Sequence, residues 1–204
     1  TKSLNDLAVS RNSKSQVYDQ IIKDLMEAEV VLPTSYSNAD VGRATKGAVR
    51  AILSKVYLFN RNFDLAAITA RLITQMNYSL VPNYDDIWPS ANENGPEHIF
   101  SVQFKAGLRG SGFNNQFGVR GGRAPINGDS GAIINQSFID SFSENDLRKN
   151  ASFRTSFTFS DGSTANFEPH VWKFFNPDGI TPSNTDTNWP VIRYSDVLLI
   201  LAEA

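Results

Sequence analysis

The residues best suited to bind a small molecule are grouped between Lys105 and Gly131. This stretch has eight glycines and few periodic apolar residues, which is typical of a long surface loop. Planar hydrogen-bonding groups and aromatic rings are interspersed within it, namely Asn114, Asn115, Phe117, Arg120 and Arg123. Because amides and guanidinium groups pair with sugar hydroxyls and aromatic rings cover sugar C–H faces, we predict that these five residues bind a sugar. The alternative is that Asn and Gly serve the turns while the phenylalanines pack inward.

The chain offers little of the chemistry that catalysis or metal binding requires. It has no cysteine, and its two histidines, His98 and His170, stand alone without His-x-x-x-His spacing. No Gly-x-Ser-x-Gly sequence is present. A glycoside hydrolase needs two facing carboxylates about 5 to 9 Å apart, and the acidic residues are adjacent or belong to predicted structural segments. We therefore predict no catalytic residue, metal site or cofactor, and a glycan-degrading enzyme is the less favoured alternative.

Composition and charge argue against nucleic-acid binding and against a membrane span. The net charge is -2, with 20% charged and 41% hydrophobic residues, and the basic residues are scattered among the acidic ones. The longest apolar stretch, near 197–202, is far shorter than the roughly 20 residues of a transmembrane helix. Residues 1–15 lack the regions of a signal peptide, so we expect that any targeting segment lies upstream or has been removed.

Residues 15–76 carry the periodicity of three amphipathic helices. Ser13 and Gln16 form a capping-box pattern before a helix at 15–32, and Thr45 and Asn62 are suitable N-caps for two further helices. The predicted buried stripe of the second helix is Ala48, Ile52, Val56 and Phe59, widened by Leu53 and Tyr57, and that of the third is Leu65, Ile68, Leu72 and Met76. Small residues recur on the facing surfaces and allow the two helices to pack closely as a hairpin, namely Ala48, Ala51, Ala66, Ala67 and Ala70. Since one helix pair cannot bury both its faces, we predict a scaffold of tetratricopeptide-like helix pairs.

The remaining sequence predicts an irregular section and the start of a late scaffold helix. Residues 78–190 contain short alternating stretches at 98–104, 153–159 and 171–175, which indicate strands, and a short helix at 137–142. Residues 191–204 lead into a helix that stops without a Gly, Asn or Pro terminator. We therefore expect a single domain over 1–204, mainly α (α+β), that is part of a larger protein.

The three tryptophans are candidates for either ligand contact or packing. Trp88 lies in an apolar cluster with Tyr84. Trp172 lies beside Lys173 in a predicted strand of alternating apolar and polar residues, and Trp189 precedes the last helix. Each of these positions favours packing over binding. We therefore interpret all three tryptophans as structural residues.

Four segments, in this order along the chain, carry a family resemblance. The first runs from Gly42 to Phe59 and continues with Asn62-Phe63-Asp64. The others are Tyr78 to Phe104, with its Glu-His-Ile-Phe-Ser-Val-Gln-Phe run, then Asn145 to Lys149 with an Asp-x-Arg pattern, and Trp189 to Ala204 with the pattern Arg-x-x-Asp-x-x-Leu-x-x-Ala-Glu-Ala. Together these segments resemble the SusD/RagB family of outer-membrane nutrient-binding lipoproteins.

The resemblance implies a function in nutrient capture at the cell surface. By analogy, the whole protein would be a lipid-anchored lipoprotein on the extracellular face of the outer membrane of a Bacteroidetes-type bacterium. It would bind an oligosaccharide, without cleaving it, and deliver it to a SusC-like TonB-dependent transporter in a polysaccharide-utilisation system. A helical-repeat scaffold that binds only a protein, and a peptide-binding relative, are the alternatives that stay open.

Overall fold

The computed structural model describes residues 10–120, 128–129, 131, 133–176 and 183–204. Their regular elements are α1 (Lys14–Val31), α2 (Lys46–Phe59), α3 (Phe63–Thr74), β1 (His98–Val102), α4 (Phe113–Phe117), α5 (Gln136–Asp140), α6 (Leu147–Ser152), β2 (Phe153–Thr158), β3 (Thr164–Val171), β4 (Trp189–Arg193) and α7 (Tyr194–Glu203). The predicted mainly helical α+β class is confirmed.

The chain divides into two units. One comprises Thr1–Tyr78, described from Ser10 onward, and Tyr194–Ala204, and the other is Ser79–Arg193. The first unit holds the long helices and the second holds the strands and short helices. The single domain over residues 1–204 stays a prediction.

The helices of the first unit begin at the residues that local capping chemistry predicts. Ser13 and Gln16 form a complete capping box at the start of α1. The Thr45 side chain accepts a hydrogen bond from the Ala48 amide at the start of α2, and Asn62 caps α3 in the same way. The turn between α2 and α3 is so short that the two helices pack side by side as a hairpin, as predicted.

The predicted buried stripe of α2 is confirmed at Ala48, Leu53 and Tyr57 but is wrong at Phe59, and that of α3 is wrong at Leu65, Ile68 and Leu72. Phe59 is 62% exposed and Ile68 is 56% exposed. The buried residues of these two helices are mainly small, with Leu53, Tyr57 and Ile73 as the largest: Gly47, Ala48, Val49, Ala51, Leu53, Ser54, Tyr57, Ala66, Thr69, Ala70 and Ile73. Four of the five alanines predicted on the facing surfaces are buried, and alanines let the helix backbones approach closely.

Helix α7 completes the core of the first unit. Val197 and Ile200 are buried, and α7 packs against both α2 and α3. Tyr78 fills the space beside Gly47, where a Cβ would lie 2.2 Å from the Tyr78 hydroxyl oxygen. No described helix has both the length and the apolar character to cross a membrane.

Two antiparallel strand pairs form the framework of the second unit. β1 pairs with β4, and β2 pairs with β3 through a turn at residues 159–163. The sequence predicted β1, β2 and α5 to within a few residues. It missed β3, β4, α4 and α6, and it placed a strand at 171–175 where β3 has already ended. These short elements depend on long-range pairing, which local periodicity does not report.

Candidate functional site

The feature of the second unit best suited to hold a ligand is a cavity of about 340 Å³ between two tryptophans, termed here the tryptophan pocket. Its walls are Asp85, Trp88, Pro89, Ser90, Ala91, Ala151, Arg154, Trp172, Lys173, Phe175 and Asn176. Aromatic surface, two cations and an amide therefore line one concave space. This combination suits a ligand with both apolar faces and many hydroxyl groups.

Trp172 is held at the end of β3 by backbone and ring contacts. Its amide donates a hydrogen bond of 2.7 Å to the Ser152 carbonyl oxygen. Its ring lies 4.5 Å from that of Phe175 and stacks on Phe167 at an interplanar angle of 12°. These contacts fix the orientation of a partly exposed indole ring, so that it offers a rigid aromatic wall to the cavity.

Trp88 forms a second aromatic wall of the cavity and follows a 3₁₀ turn at Tyr84–Ile87. Its ring makes edge contacts with Tyr84 and Phe174, and the guanidinium of Arg193 lies 5.5 Å from its ring centroid. The indole Nε1–H is buried and finds no hydrogen-bond acceptor among the described residues. A buried donor without an acceptor is energetically costly.

The backbone of Asn176 is held by the side chain of Asn114, a residue predicted from the sequence to bind the sugar. The Asn114 Nδ2 atom donates to the Asn176 carbonyl oxygen, and the Asn114 Oδ1 atom accepts from the Asn176 amide, both at 2.8 Å. Asn114 is fully buried. Both ends of its amide are therefore occupied in holding the pocket wall, and Asn114 is a positioning residue.

Asn115, Phe117 and Arg120 are not among the described residues that line the tryptophan pocket. The Asn115 side chain bonds to Asp129, and Phe117 packs against Phe113 and Phe174 in an aromatic cluster. Arg120 is exposed, and Arg123 lies outside the described residues. The direct binding of a sugar by these residues stays a prediction, and the structure places Phe117 among packed rings.

The interpretation of the tryptophans as purely structural is revised by this geometry. Trp88 and Trp172 line the pocket, and Trp189, which packs on Phe113 and Phe174, is still 38% exposed. The sequence signal for this site was the Trp172-Lys173 pair next to an apolar stretch. That signal is ambiguous, because alternation on a strand and the lining of a cavity produce the same pattern.

Two larger cavities lined by described residues of the second unit each share one residue with the tryptophan pocket. One, of about 410 Å³, is lined mainly by residues 81–98 and includes Glu93, Glu97 and His98. The other, of about 430 Å³, is lined by the polar edge of β2 and by residues of α5 and α6. Neither has two indole walls, so both fit a sugar ring less well than the tryptophan pocket does.

Glu93 gives the first of these cavities a pH-sensitive group. Burial raises the pKa of Glu93 to about 7, and the nearby Asp186 also raises it, against the lowering effects of the Asn188 amide hydrogen bond and of Lys105. The folded state therefore binds the Glu93 proton more tightly than the unfolded state does. The resulting stability is present in full below about pH 4.5 and is lost as the pH rises through about 7.

We expect Glu93→Gln to remove this pH dependence. The free energy of unfolding of the wild type should fall by on the order of 1 kcal/mol more than that of the variant between pH 5 and pH 8, a modest value because the carboxyl group is still half exposed. Urea unfolding of both proteins across this range measures the difference. Parallel pH profiles for the two proteins would contradict the assignment.

Among the described residues, no group of three or more His, Cys, Asp or Glu side chains is placed to hold a metal ion. The acidic groups that do interact have structural partners. Glu97, for example, is bound to Arg193 at 2.7 Å and to the Val81 amide at 3.1 Å.

Comparison with known proteins gives two family models and several relatives. A model described as "Starch-binding associating with outer membrane" matches residues 1–58, and one described as "SusD family" matches residues 158–204. The SusD-like protein P2 of Formosa agariphila is 28% identical over an alignment of 225 positions, which covers 97% of this chain and 44% of that protein.

Solved structures share the fold. A SusD superfamily protein from Parabacteroides distasonis is 28% identical with a TM-score of 0.80, and the match covers 98% of this chain and 48% of that one. A laminarin-binding SusD-like protein is 25% identical with a TM-score of 0.83, over 94% and 50% of the two chains. These neighbours are helical, tetratricopeptide-like proteins, as the sequence predicted. The chain spans about half the length of the relatives it matches.

Proposed function

Because the chain belongs to the SusD/RagB family, we propose that it is part of a cell-surface protein that binds glycans and delivers them to a SusC-like TonB-dependent transporter. The protein would be lipid-anchored on the extracellular face of the outer membrane. A likeness to a solved laminarin-binding SusD-like protein supports a carbohydrate ligand. The helical unit would be the scaffold, and the second unit would hold the glycan.

The observation that carries this proposal is the tryptophan pocket. Trp88 and Trp172 supply aromatic walls for sugar C–H faces, while Asn176 and Arg154 lie in the same lining. Aromatic side chains held rigidly by neighbouring rings lose little entropy when a ligand binds. The pocket therefore has the mixture of surfaces that sugar recognition requires, in a preformed shape.

The proposed activity is binding without cleavage. Asp85 is the one carboxylate in the described lining of the pocket. Glycoside hydrolysis ordinarily uses two carboxylates on opposite sides of the scissile bond. A single acidic side chain supports retention of an intact glycan over its hydrolysis.

Replacing Trp172 with alanine tests the site. We expect the affinity of the full-length protein for its glycan to fall about tenfold, which corresponds to about 1.4 kcal/mol, because one stacking wall is lost. Isothermal titration against a panel of oligosaccharides and peptides measures the effect. Phe59→Ala is the matched control, since Phe59 is an exposed aromatic residue of the other unit.

The same titrations distinguish the tryptophan pocket from the predicted loop site. A variant with Asn115, Phe117 and Arg120 all replaced by alanine should keep most of its affinity. If this triple variant lost binding while Trp172→Ala kept it, the glycan site would lie in the loop.

Retention of the transporter in a pull-down, together with no glycan binding by the wild type, would favour the protein-interaction scaffold instead. Binding of peptides alone would favour the peptide-binding alternative.

A further inference from the structure

We propose that the tryptophan pocket selects oligosaccharides that carry negative charge, as uronate carboxylates or sulfate esters, and that Lys173 and Arg154 recognise this charge. The inference rests on the proposed glycan-binding function and adds the chemical class of the ligand. It follows from two cations that line the pocket with no carboxylate partner among the described residues, and from the single carboxylate in the described lining.

Lys173 is a half-buried cation that is held by aromatic rings. Its Nζ atom lies 4.9 Å from the ring centroid of Trp88 and 5.1 Å from that of Phe174. Cation–π contacts of this kind stabilise the charge but leave the ammonium hydrogens available to an acceptor. Burial and the neighbouring Arg193 both lower the pKa of Lys173. An anionic ligand would offset the hydration that the Lys173 ammonium group loses on burial, because a nearby negative charge favours the protonated form of the lysine.

Arg154 provides a second cation on the other aromatic wall. Its guanidinium carbon lies 5.1 Å from the ring centroid of Trp172. A guanidinium group stacked on a ring still presents N–H donors at its edge, where a carboxylate or sulfate can accept two hydrogen bonds at once. Each indole wall of the pocket is therefore paired with a cation that can contact the same ligand.

The lining of the pocket has an excess of positive charge. Within the described part of the chain, no carboxylate oxygen lies within 4.0 Å of the side-chain nitrogens of Lys173 or Arg154. The acidic residue in the described part of the lining is the exposed Asp85, so the described side chains are two cations and one anion. This local excess contrasts with the net charge of -2 of the whole chain. Clustered like charges without counter-charges favour a ligand of opposite sign.

A second cavity extends the positive surface beyond Arg154. The cavity of about 430 Å³ shares Arg154 with the tryptophan pocket. Its other lining residues are Gln136, Ile139, Lys149, Asn150, Phe153, Thr155 and Ser156, none of which is acidic. Lys149 adds a cation, while amides and hydroxyls supply partners for sugar hydroxyl groups. A charged chain of several sugar units can therefore contact cations in both cavities.

The experiment compares three oligosaccharides of equal length, one neutral, one built of uronates and one carrying sulfate esters. Isothermal titration of the full-length protein at low ionic strength is expected to give at least about tenfold tighter binding of one or both acidic ligands than of the neutral one. Lys173→Met and Arg154→Met should each weaken acidic binding about tenfold and neutral binding much less, so that the ratio of acidic to neutral affinity falls. Methionine keeps the apolar stem of both side chains and removes the charge.

The control variant is Lys23→Met, which removes one exposed positive charge from α1, where Lys23 faces Glu27. It should leave all affinities unchanged. An equal loss in Lys23→Met and Lys173→Met would overturn the proposal, because the effect would then be a general one of net charge. Preference for the sulfated or the uronate ligand identifies which acidic group is recognised, and either result supports the proposal.

Failure of this inference is distinguishable from failure of the proposed function. If neutral and acidic ligands bound equally well and Trp172→Ala weakened both, the charge selectivity would be wrong and glycan binding would stand. If none of the glycans bound, the proposed function itself would fail. Unfolding midpoints of the variants show whether they fold, and Arg154→Met, at an exposed strand position, keeps the test valid should Lys173→Met be unstable.

Discussion

Replacing Arg193 with methionine is expected to lower the free energy of unfolding by about 3 to 5 kcal/mol. The Arg193 Nη1 atom donates to the Glu97 Oε1 atom at 2.7 Å, and the Glu97 side chain is only 5% exposed while that of Arg193 is 21% exposed. Without the guanidinium group, the buried carboxylate of Glu97 would lose its charged partner and keep only the hydrogen bond from the Val81 amide. Urea-induced unfolding of the wild type and the variant measures the loss.

Arg148→Met is the matched control for this prediction. Arg148 forms a close ion pair with Asp146, but its side chain is 63% exposed and water screens the pair. We expect no measurable change in unfolding, since Asp146 keeps its role as N-cap of α6. Equal destabilisation by Arg148→Met and Arg193→Met would contradict the view that burial makes the Glu97 pair important.

Arg193 also connects stability to the proposed binding site. It belongs to β4, which pairs with β1, and its guanidinium group lies over the ring of Trp88. Loss of this contact would free one wall of the tryptophan pocket. Glycan affinity of Arg193→Met should therefore fall even under conditions where the variant is fully folded.

The second large effect is expected from Ile73→Ala in α3. Ile73 is fully buried in the helical unit. Removing three carbon atoms from a packed core loses their transfer free energy and leaves a cavity, so we expect destabilisation of about 3 kcal/mol. Urea or thermal unfolding of the full-length protein measures this value.

The control for Ile73→Ala lies on the same helix. Ile68 is 56% exposed, so Ile68→Ala removes the same atoms from a position that water already contacts. We expect a change within about 0.5 kcal/mol, because surface substitutions of this kind have small effects and alanine is a good helix former. A larger loss at Ile68 than at Ile73 would show that the apolar stripe predicted from the sequence is the buried one after all.

The sequence alone did not identify which of the larger apolar residues of α3 are buried. The residues Leu65, Ile68 and Leu72 have the spacing and the apolar character of a core stripe, and yet they are exposed. The structure buries Ile73 instead, together with Ala66 and Ala70, which the sequence placed on the facing surface. Periodicity identifies a helix and offers more than one apolar face. The partner helix then selects the face, because close approach of two backbones requires small side chains.

The residues that line the tryptophan pocket, too, could not be identified from the sequence alone. The sequence directed attention to a glycine-rich loop, where Asn114 has the right chemistry for a sugar. In the fold this amide is fully buried and bonded to the backbone of Asn176, 62 residues away. The residues that face the cavity come from distant parts of the chain, such as Trp88 and Trp172.

The sequence by itself determined the family, the helical class and the starts of the long helices. Capping by Ser13, Thr45 and Asn62 involves partners three residues away, and family motifs are linear patterns, so both can be read without a fold. Only the tertiary structure decided which of the larger apolar residues in the helices are buried, which carboxylate holds Arg193, and which aromatic residues line a common cavity. These depend on contacts between residues far apart in the chain, and such contacts form only when packing brings distant segments together.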